Sequence, residues 1–249
     1  MSKPHNDRLA VVTATVDLDG SAACRQSWET RAAYQLPTYV VQGVWGVVPA
    51  FAQAVAEAFG NGAEAVVCLH DDCRIDQRDW DLLVHDQLDA GVRFAGFGGG
   101  AQLGGADLYP TPYDPLQLAR GGFVSNLEQA EAHGRRSRVP VRCVVFDGFC
   151  QIGTKDWFGA AWETLRGLGV VHHAYDLALG CLAQRAKVQP GVMIPVACHH
   201  YGGRTAVGST EYQTWARTQH SDGDQGFWAN SHAICYEEFR DVLPLMVPR

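Results

Sequence analysis

Short apolar runs alternate with longer amphipathic stretches through the first hundred residues. The apolar runs have the length and composition of buried strands, and the stretches between them have helical periodicity. Strands that alternate with helices form a mostly parallel sheet with helices on its faces. We therefore expect a mixed α/β fold in a single domain over residues 1–249. The predicted strands cover residues 9–16, 38–44, 63–71 and 92–97, and the predicted helices cover residues 22–34, 48–59 and 78–90.

The alternation stops between residues 98 and 140, where glycine and proline are frequent. A long loop inside a compact domain usually has a function, such as that of a lid. Further strands are expected over residues 141–146 and 188–196, and further helices over residues 155–165, 175–186 and 234–242. The domain then divides into a first half (8–100), a flexible loop region (101–140), a second half (141–205) and a C-terminal tail (206–249).

The formal net charge of −7 argues against nucleic acid as a partner. Proteins that bind nucleic acid mainly through phosphate contacts need a positive surface. The short basic cluster of Arg135, Arg136 and Arg138 is too small to reverse this argument, and it is typical of a solvated loop or of a contact to a small anion. Nucleic acid is therefore not the expected partner, although the net charge leaves room for a locally basic face.

The sequence also predicts the cellular compartment. No apolar run approaches the ~20 residues that cross a bilayer, and the polar residues 1–8 lack the apolar stretch of a signal peptide. The eight cysteines contain no Cys-x-x-Cys pair, so neither a zinc knuckle nor a disulfide framework is indicated. We expect a cytoplasmic protein without a membrane span and with reduced thiols.

Two adjacent acids, Asp71 and Asp72, follow His70 directly after the apolar run 63–69. Open α/β sheets bind ligands at the carboxyl ends of their strands. Neighbouring carboxylates repel each other unless a cation lies between them, and Mg²⁺ or Mn²⁺ prefers such hard oxygen ligands. The alternative is a simple strand-end turn whose acids cap the next helix.

Three further polar groups interrupt apolar elements: Asp147-Gly148, Tyr175-Asp176 and His199-His200. Each has a structural explanation on its own, namely a turn, an acid in the first turn of a helix, and a loop histidine. Because strand ends converge on one edge of a parallel sheet, the three groups are also expected to line one cleft with Asp71 and Asp72.

Taken in order, these segments resemble the GT-A fold of family 2-like glycosyltransferases. The resemblance covers most of residues 8–205 and rests on the order and spacing of the motifs. The matching segments are the strand Ala10–Asp17, the strand-end motif Leu69–Asp72, the segment Val145–Phe149, the helix opening Ala174–Leu179 and the segment His199–Gly203.

The resemblance implies an enzyme that moves a sugar from a nucleotide-sugar donor to a hydroxyl acceptor, with inversion and with Mn²⁺ or Mg²⁺ as cofactor. It assigns Asp72 and either His199 or His200 to the metal, and Asp71 to the ribose or the metal shell. His70 occupies the place of an acid in the usual Asp-x-Asp motif. This departure puts the strength of metal binding in question.

The resemblance also assigns the remaining roles. Asp176 matches the catalytic base of inverting members, although Ala178 stands where a second acid is usual. Asp147 and Gly148 match the segment that lines the sugar pocket, and His133-Gly134 matches a His-Gly pair of related sequences. The nucleoside is expected at the ends of the first two strands, near Thr13, Thr15, Asp17 and Gln42.

Two other functions fit the same residues. A metal-dependent phosphoesterase would use an activated water in place of an acceptor hydroxyl, and a non-catalytic module would bind a sugar nucleotide or a glycan without turnover. The sequence does not identify the acceptor of a transferase, which could be a glycan, a small molecule, a protein or a modified nucleobase. Aromatic residues of the tail could stack on a sugar or a base, or form a hydrophobic seal: Tyr212, Trp215, Phe227 and Trp228.

Overall fold

The computed structural model describes residues 3–103, 123–128, 134–202 and 209–247. The strands in this part of the chain are β1 (Leu9–Thr15), β2 (Thr38–Gln42), β3 (Ala65–Leu69), β4 (Cys73–Ile75), β5 (Phe94–Gly96), β6 (Gly98–Gly100), β7 (Gln102–Leu103), β8 (Phe123–Ser125), β9 (Arg135–Arg136), β10 (Val141–Cys143), β11 (Val145–Phe146), β12 (Cys150–Thr154), β13 (Gly191–Met193), β14 (Cys198–His200) and β15 (Leu245–Met246). The helices are α1 (Leu18–Arg31), α2 (Val47–Gly60), α3 (Trp80–Asp89), α4 (Lys155–Gly167), α5 (Tyr175–Arg185), α6 (Thr210–Gln219) and α7 (Gly223–Phe239).

A seven-stranded mixed sheet organises the domain, in the order β10-β13-β5-β12-β3-β1-β2. Strands β1, β2, β3, β5 and β13 run parallel to one another, whereas β12 and β10 run antiparallel to their neighbours. The expected mixed, mostly parallel sheet flanked by helices is confirmed.

Both faces of the sheet are buried, which explains why its strands are apolar at almost every position. On one face, Ala10 and Val12 of β1 pack with α2 and α4, where the rings of Phe51 and Trp162 meet edge to face at 5.3 Å. On the other face, β1 packs against α1 and α3, and the buried Trp28 donates its indole N–H to the carbonyl of Cys73. Two apolar layers therefore hold the sheet rigidly between helices.

Part of the region predicted as a long loop is ordered sheet instead. Strands β6, β8, β9 and β11 form a second, four-stranded sheet. The prediction was wrong here because the run Gly98–Gly100 looks like a loop in sequence, yet it is a buried strand. A Cβ on Gly99 would lie 2.6 Å from the carbonyl oxygen of Val145, so glycine permits the close pairing of β6 with β11. Residues 104–122 and 129–133, including His133, lie outside the described residues.

Two other predicted elements need correction. The strand expected over residues 141–146 is divided between β10 in the main sheet and β11 in the second sheet, and β12 was missed. An apolar run does not show where the chain passes from one sheet to another. Strand β12 was missed because Gln151 and Gly153 interrupt its apolar pattern. The helix expected over 234–242 is the end of the longer α7, which α6 precedes.

No helix in the described ranges combines the length and the apolar character needed to cross a bilayer. All eight cysteines are buried and free of disulfides.

Asp81 connects two helices on one face of the sheet. Its carboxylate is fully buried and accepts hydrogen bonds from the backbone N–H groups of Ala33 (2.7 Å) and Tyr34 (2.9 Å). These two residues follow α1, so Asp81 fixes the end of α1 against the start of α3.

Replacing Asp81 with alanine leaves two partly buried N–H groups without their acceptor. We expect Asp81→Ala to lower the free energy of unfolding by roughly 2 kcal/mol or more, measured by urea denaturation. Asp86→Ala on the exposed face of the same helix is the matched control and should change stability by less than about 0.5 kcal/mol. Equal effects of the two substitutions would contradict the role of Asp81.

Candidate functional site

The pairing of β3 with β12 creates the site at one edge of the main sheet. Leu69 at the end of β3 lies opposite Cys150 at the start of the antiparallel β12. The N–H of His70 donates to the carbonyl of Phe149 at 2.9 Å, so the turn Asp147-Gly148 lies beside His70. His70 and Phe149, which are 79 positions apart in sequence, therefore share one corner of the domain.

The small sheet of β4 and β14 adds a second histidine to this corner. Cys73 lies opposite His200, and the N–H of Tyr201 donates to the carbonyl of Asp72 at 3.1 Å. The ring of His200 consequently lies beside Asp72, 5.5 Å from the ring of His70, and stacks on Phe149 at 5.0 Å.

His70, Asp72 and His200 form a cluster that could hold a metal ion. One ligand atom from each residue lies within 4.8 Å of the other two. Two atoms bonded to one ion at about 2.1 Å are at most about 4.2 Å apart, so small side-chain shifts complete the set. Oδ1 of Asp72 is buried, and its close contact is with Nε2 of His200 at 3.2 Å. A buried carboxylate oxygen in this state fits a cation.

A hydrogen-bonded chain orients His70 within the cluster. The hydroxyl of Tyr175 donates to the carbonyl of Gly148 at 3.0 Å and lies 2.7 Å from Nε2 of His70. Because the Tyr175 hydroxyl uses its one hydrogen in the bond to Gly148, it accepts the hydrogen bond from Nε2–H of His70, which leaves Nδ1 of the neutral ring unprotonated. Metal-binding histidines usually donate their second ring nitrogen in this way.

The electrostatics of the cluster favour an added cation. Burial lowers the pKa of His70 to about 4, so this imidazole is neutral at physiological pH. Burial alone would raise the pKa of Asp72, but contacts with His200 and His70 lower it below its usual value. Burial raises the pKa of the neighbouring Asp71. The corner therefore holds more carboxylates than charged histidines.

The donor set narrows the choice of metal. Two imidazoles and one carboxylate suit Fe²⁺, Zn²⁺ and other transition metals better than Mg²⁺, which prefers oxygen ligands, and Mn²⁺ accepts both kinds of donor. His70 thus stands as a candidate ligand in the place where an acid was expected.

Asp176 lies at the start of α5, next to this corner. Its Oδ1 accepts the N–H of Leu177 at 2.9 Å, and the preceding Ala174 has a left-handed backbone with φ of +62°. Burial, together with the negative charge of Asp147, raises the pKa of Asp176 to about 7. A carboxyl group with this pKa exchanges its proton readily near neutral pH, as a general base must.

A cleft of about 250 Å³ opens beside the cluster. Its lining combines the polar groups of the corner with apolar and aromatic residues, and Trp45 and His172 mark its aromatic end. The aromatic end was not predicted from the sequence. Trp45 and the His172-His173 pair, which precedes Tyr175 by two residues, are the sequence features that could have indicated it. The lining residues are Ala14, Thr15, Val16, Val44, Trp45, Gly46, Val47, Phe51, His70, Asp71, Asp72, His172 and His200.

The structure brings some predicted site residues to the cleft and leaves others outside its lining. Thr15 and Asp71 line it, as does Asp72. Asp147, Gly148 and Asp176 form an adjacent group behind His70, joined to it through Tyr175.

Three residues expected to contact the nucleoside have other positions. Thr13 is buried and donates to the carbonyl of Leu69 at 2.7 Å. Asp17 is the exposed N-cap of α1, where Oδ1 accepts the N–H of Gly20. Gln42 is exposed at the end of β2. None of the three lines the cleft, because side chains alternate along a strand and because Asp17 caps a helix.

His199 does not join the cluster. Its Nδ1 lies 2.9 Å from Oε2 of Glu128, and its ring packs on Tyr201. Successive side chains of β14 point to opposite sides, so only His200 can face Asp72. The expectation that either histidine binds the metal therefore reduces to His200.

Comparisons with known proteins add little to this geometry. No protein-family model and no curated protein match the chain. Among solved structures, the chain is similar to "Crystal Structure of A197 from STIV", with a TM-score of 0.38 and 6% identity. The match covers 60% of this chain and 66% of that chain, which is just under two thirds of its length. At this TM-score the similarity supports no conclusion about family or function.

Metal binding can be tested directly. We expect Mn²⁺ to bind the metal-free protein more tightly than Mg²⁺ in titration calorimetry, because two of the three donors are imidazoles. Asp72→Ala and His200→Ala should each weaken Mn²⁺ binding by about 100-fold or more. His199→Ala, one residue away on β14, is the matched control. Unchanged binding in Asp72→Ala would contradict the assignment.

Asp176 should reduce stability at neutral pH. Its pKa is near 4 in the unfolded chain and about 7 in the folded protein, so the folded state binds the extra proton between these values. Stability therefore falls as pH rises from about 4 to 7, and the full penalty is present above pH 7. In EDTA, Asp176→Asn should raise Tm by several degrees at pH 8 and by little at pH 4. Asp19→Asn, on the exposed surface of α1, is the matched control, and an equal rise in Tm at pH 8 in both variants would contradict the penalty at Asp176.

Proposed function

We propose that this protein transfers a sugar from a nucleotide-sugar donor to a hydroxyl acceptor, with a GT-A-like fold and a divalent metal as cofactor. The observation that carries the proposal is the juxtaposition of a metal-competent cluster with a separate, partly buried acid. His70, Asp72 and His200 form the cluster, and Asp176 lies behind it with a pKa near 7. The resemblance of the motifs supplies the reaction class.

The two groups divide the chemistry of an inverting transfer. Asp176 takes the proton of the acceptor hydroxyl while that oxygen forms a bond to the anomeric carbon. The bond between the anomeric carbon and the diphosphate breaks at the same time, and the nucleoside diphosphate leaves with its electron pair. A bound Mn²⁺ would act as a Lewis acid that stabilises the charge on this leaving group.

The surrounding residues fix the positions of these groups. Tyr175 bridges Gly148 and His70, and Asp176 follows it on the same helix turn. A Cβ on Gly148 would lie 2.2 Å from the Tyr175 hydroxyl, so the bridge requires glycine at this turn. The bridge thereby fixes the position of Asp176 relative to the cluster, and catalysis by proximity and orientation requires such a fixed geometry.

The proposal predicts the behaviour of Asp176→Asn. With a panel of nucleotide sugars and acceptors in the presence of Mn²⁺, we expect this substitution to lower kcat by about 10²–10⁴-fold. Its donor affinity should stay within about three-fold of that of the unmodified protein, since the side chain keeps its shape and its bond to Leu177. In the unmodified protein, kcat/KM should rise with pH and level off above about pH 7, because the base must lose its proton.

Other results would favour the competing functions. Release of nucleoside diphosphate at the same rate with and without acceptor would indicate hydrolysis, as a phosphoesterase performs. Donor binding without turnover for any acceptor would indicate a binding module. Full activity of Asp176→Asn would remove the proposed base.

A further inference from the structure

The aromatic end of the cleft has a rigid wall. Trp45 lines the cleft immediately after β2. Its ring packs on two rings of α6, with centroid distances of 6.0 Å to Tyr212 and 6.2 Å to Trp215, and the planes of the two tryptophans differ by 22°. A tryptophan supported in this way keeps its orientation and offers a flat apolar surface to a ligand.

His172 provides a polar atom at the same end. Its ring lies 5.2 Å from that of Tyr212 and 5.9 Å from that of Trp215, and the residue lines the cleft. Nδ1 of His172 is buried and has no hydrogen-bond partner among the described residues. Buried polar atoms are almost always hydrogen-bonded, so an unpaired one on a residue that lines a cleft points to a partner that the described residues do not supply.

We propose that Trp45 and His172 form the base-recognition site for the nucleotide donor: the nucleobase stacks on Trp45 and Nδ1 of His172 hydrogen-bonds to its edge. This inference rests on the proposed function, which places the diphosphate at the metal-competent cluster that lines the same cleft. It makes His172 a specificity-determining residue, in place of the exposed Gln42 and the buried Thr13.

The chemistry of this end favours a base over a sugar. A pyranose presents several hydroxyl groups, each of which needs a polar partner when it is buried. Apart from the metal cluster, the buried polar atom without a partner in the described lining is Nδ1 of His172, and the lining residues Val44 and Val47, which flank Trp45 in the sequence, are apolar. A nucleobase has a flat π face for Trp45 and needs only edge contacts for selection.

The neutral state of His172 suits this role. Burial, with the nearby His173 and His70, lowers the pKa of His172 to about 3, so the ring carries no charge at physiological pH. A neutral imidazole nitrogen either accepts from a ring N–H or donates to a carbonyl oxygen. Bases differ in these groups along their edges, and the mismatched base leaves a buried atom unpaired.

The test measures binding of UDP, GDP, ADP and CDP in saturating Mn²⁺ by titration calorimetry. The full chain should prefer one base by about ten-fold or more. His172→Ala should bring the four dissociation constants to within about three-fold, and His172→Asn, whose amide lies near the position of Nδ1, should keep most of the preference. Trp45→Ala should weaken all four by about ten-fold, and Trp45→Phe by less. Trp228→Ala, which removes a tryptophan outside the cleft lining, should change none.

The outcomes separate this inference from the proposed function. Unchanged affinities and base ranking in folded His172→Ala and Trp45→Ala would overturn the base-recognition site and leave the transferase proposal intact. The expected pattern of binding without any sugar transfer would support the site and overturn the transferase. Failure of all four nucleotides to bind the unmodified protein in Mn²⁺ would overturn both.

Discussion

The antiparallel pairing of β12 with β3 is the constraint on which the site depends. The opposite directions of these strands put the end of β3 and the start of β12 at one edge, with Leu69 facing Cys150. Had β12 run parallel, the turn before it would lie at the far edge of the sheet, away from His70. The antiparallel strand thus brings the acids after β3, the turn at Asp147-Gly148 and the start of α5 into contact.

The contact between these segments places ionisable groups and a strained residue at positions that lower the stability of the fold. Asp72 has a buried carboxylate oxygen, Asp176 holds its proton up to about pH 7, and Ala174 has a strained left-handed backbone. Such features lower the stability of a fold, and they persist where the surrounding structure fixes them for a function. The two apolar layers on the faces of the main sheet supply the rigidity that this requires.

The sequence predicts the parallel part of the fold well and the details of the site less well. Strands β1, β2 and β3 and the helices between them follow from hydrophobic periodicity, which reports burial directly. The choice between His199 and His200 depends instead on the register of β14 against β4, where a shift of one residue exchanges the two sides. The direction of β12 is a property of long-range pairing and leaves no local pattern in its residues.

The ligand set of the cluster also affects how the cleft would bind an anion. Two neutral imidazoles and one carboxylate contribute a ligand charge of −1, so a divalent ion held there keeps a positive charge. Without that ion, the carboxylates of Asp71 and Asp72 outnumber His200, the histidine of the cluster whose pKa is raised, and would disfavour a diphosphate. An acid in place of His70 would cancel the remaining charge of the ion. A histidine in this place would therefore couple anion binding to metal binding more strongly than an acid would.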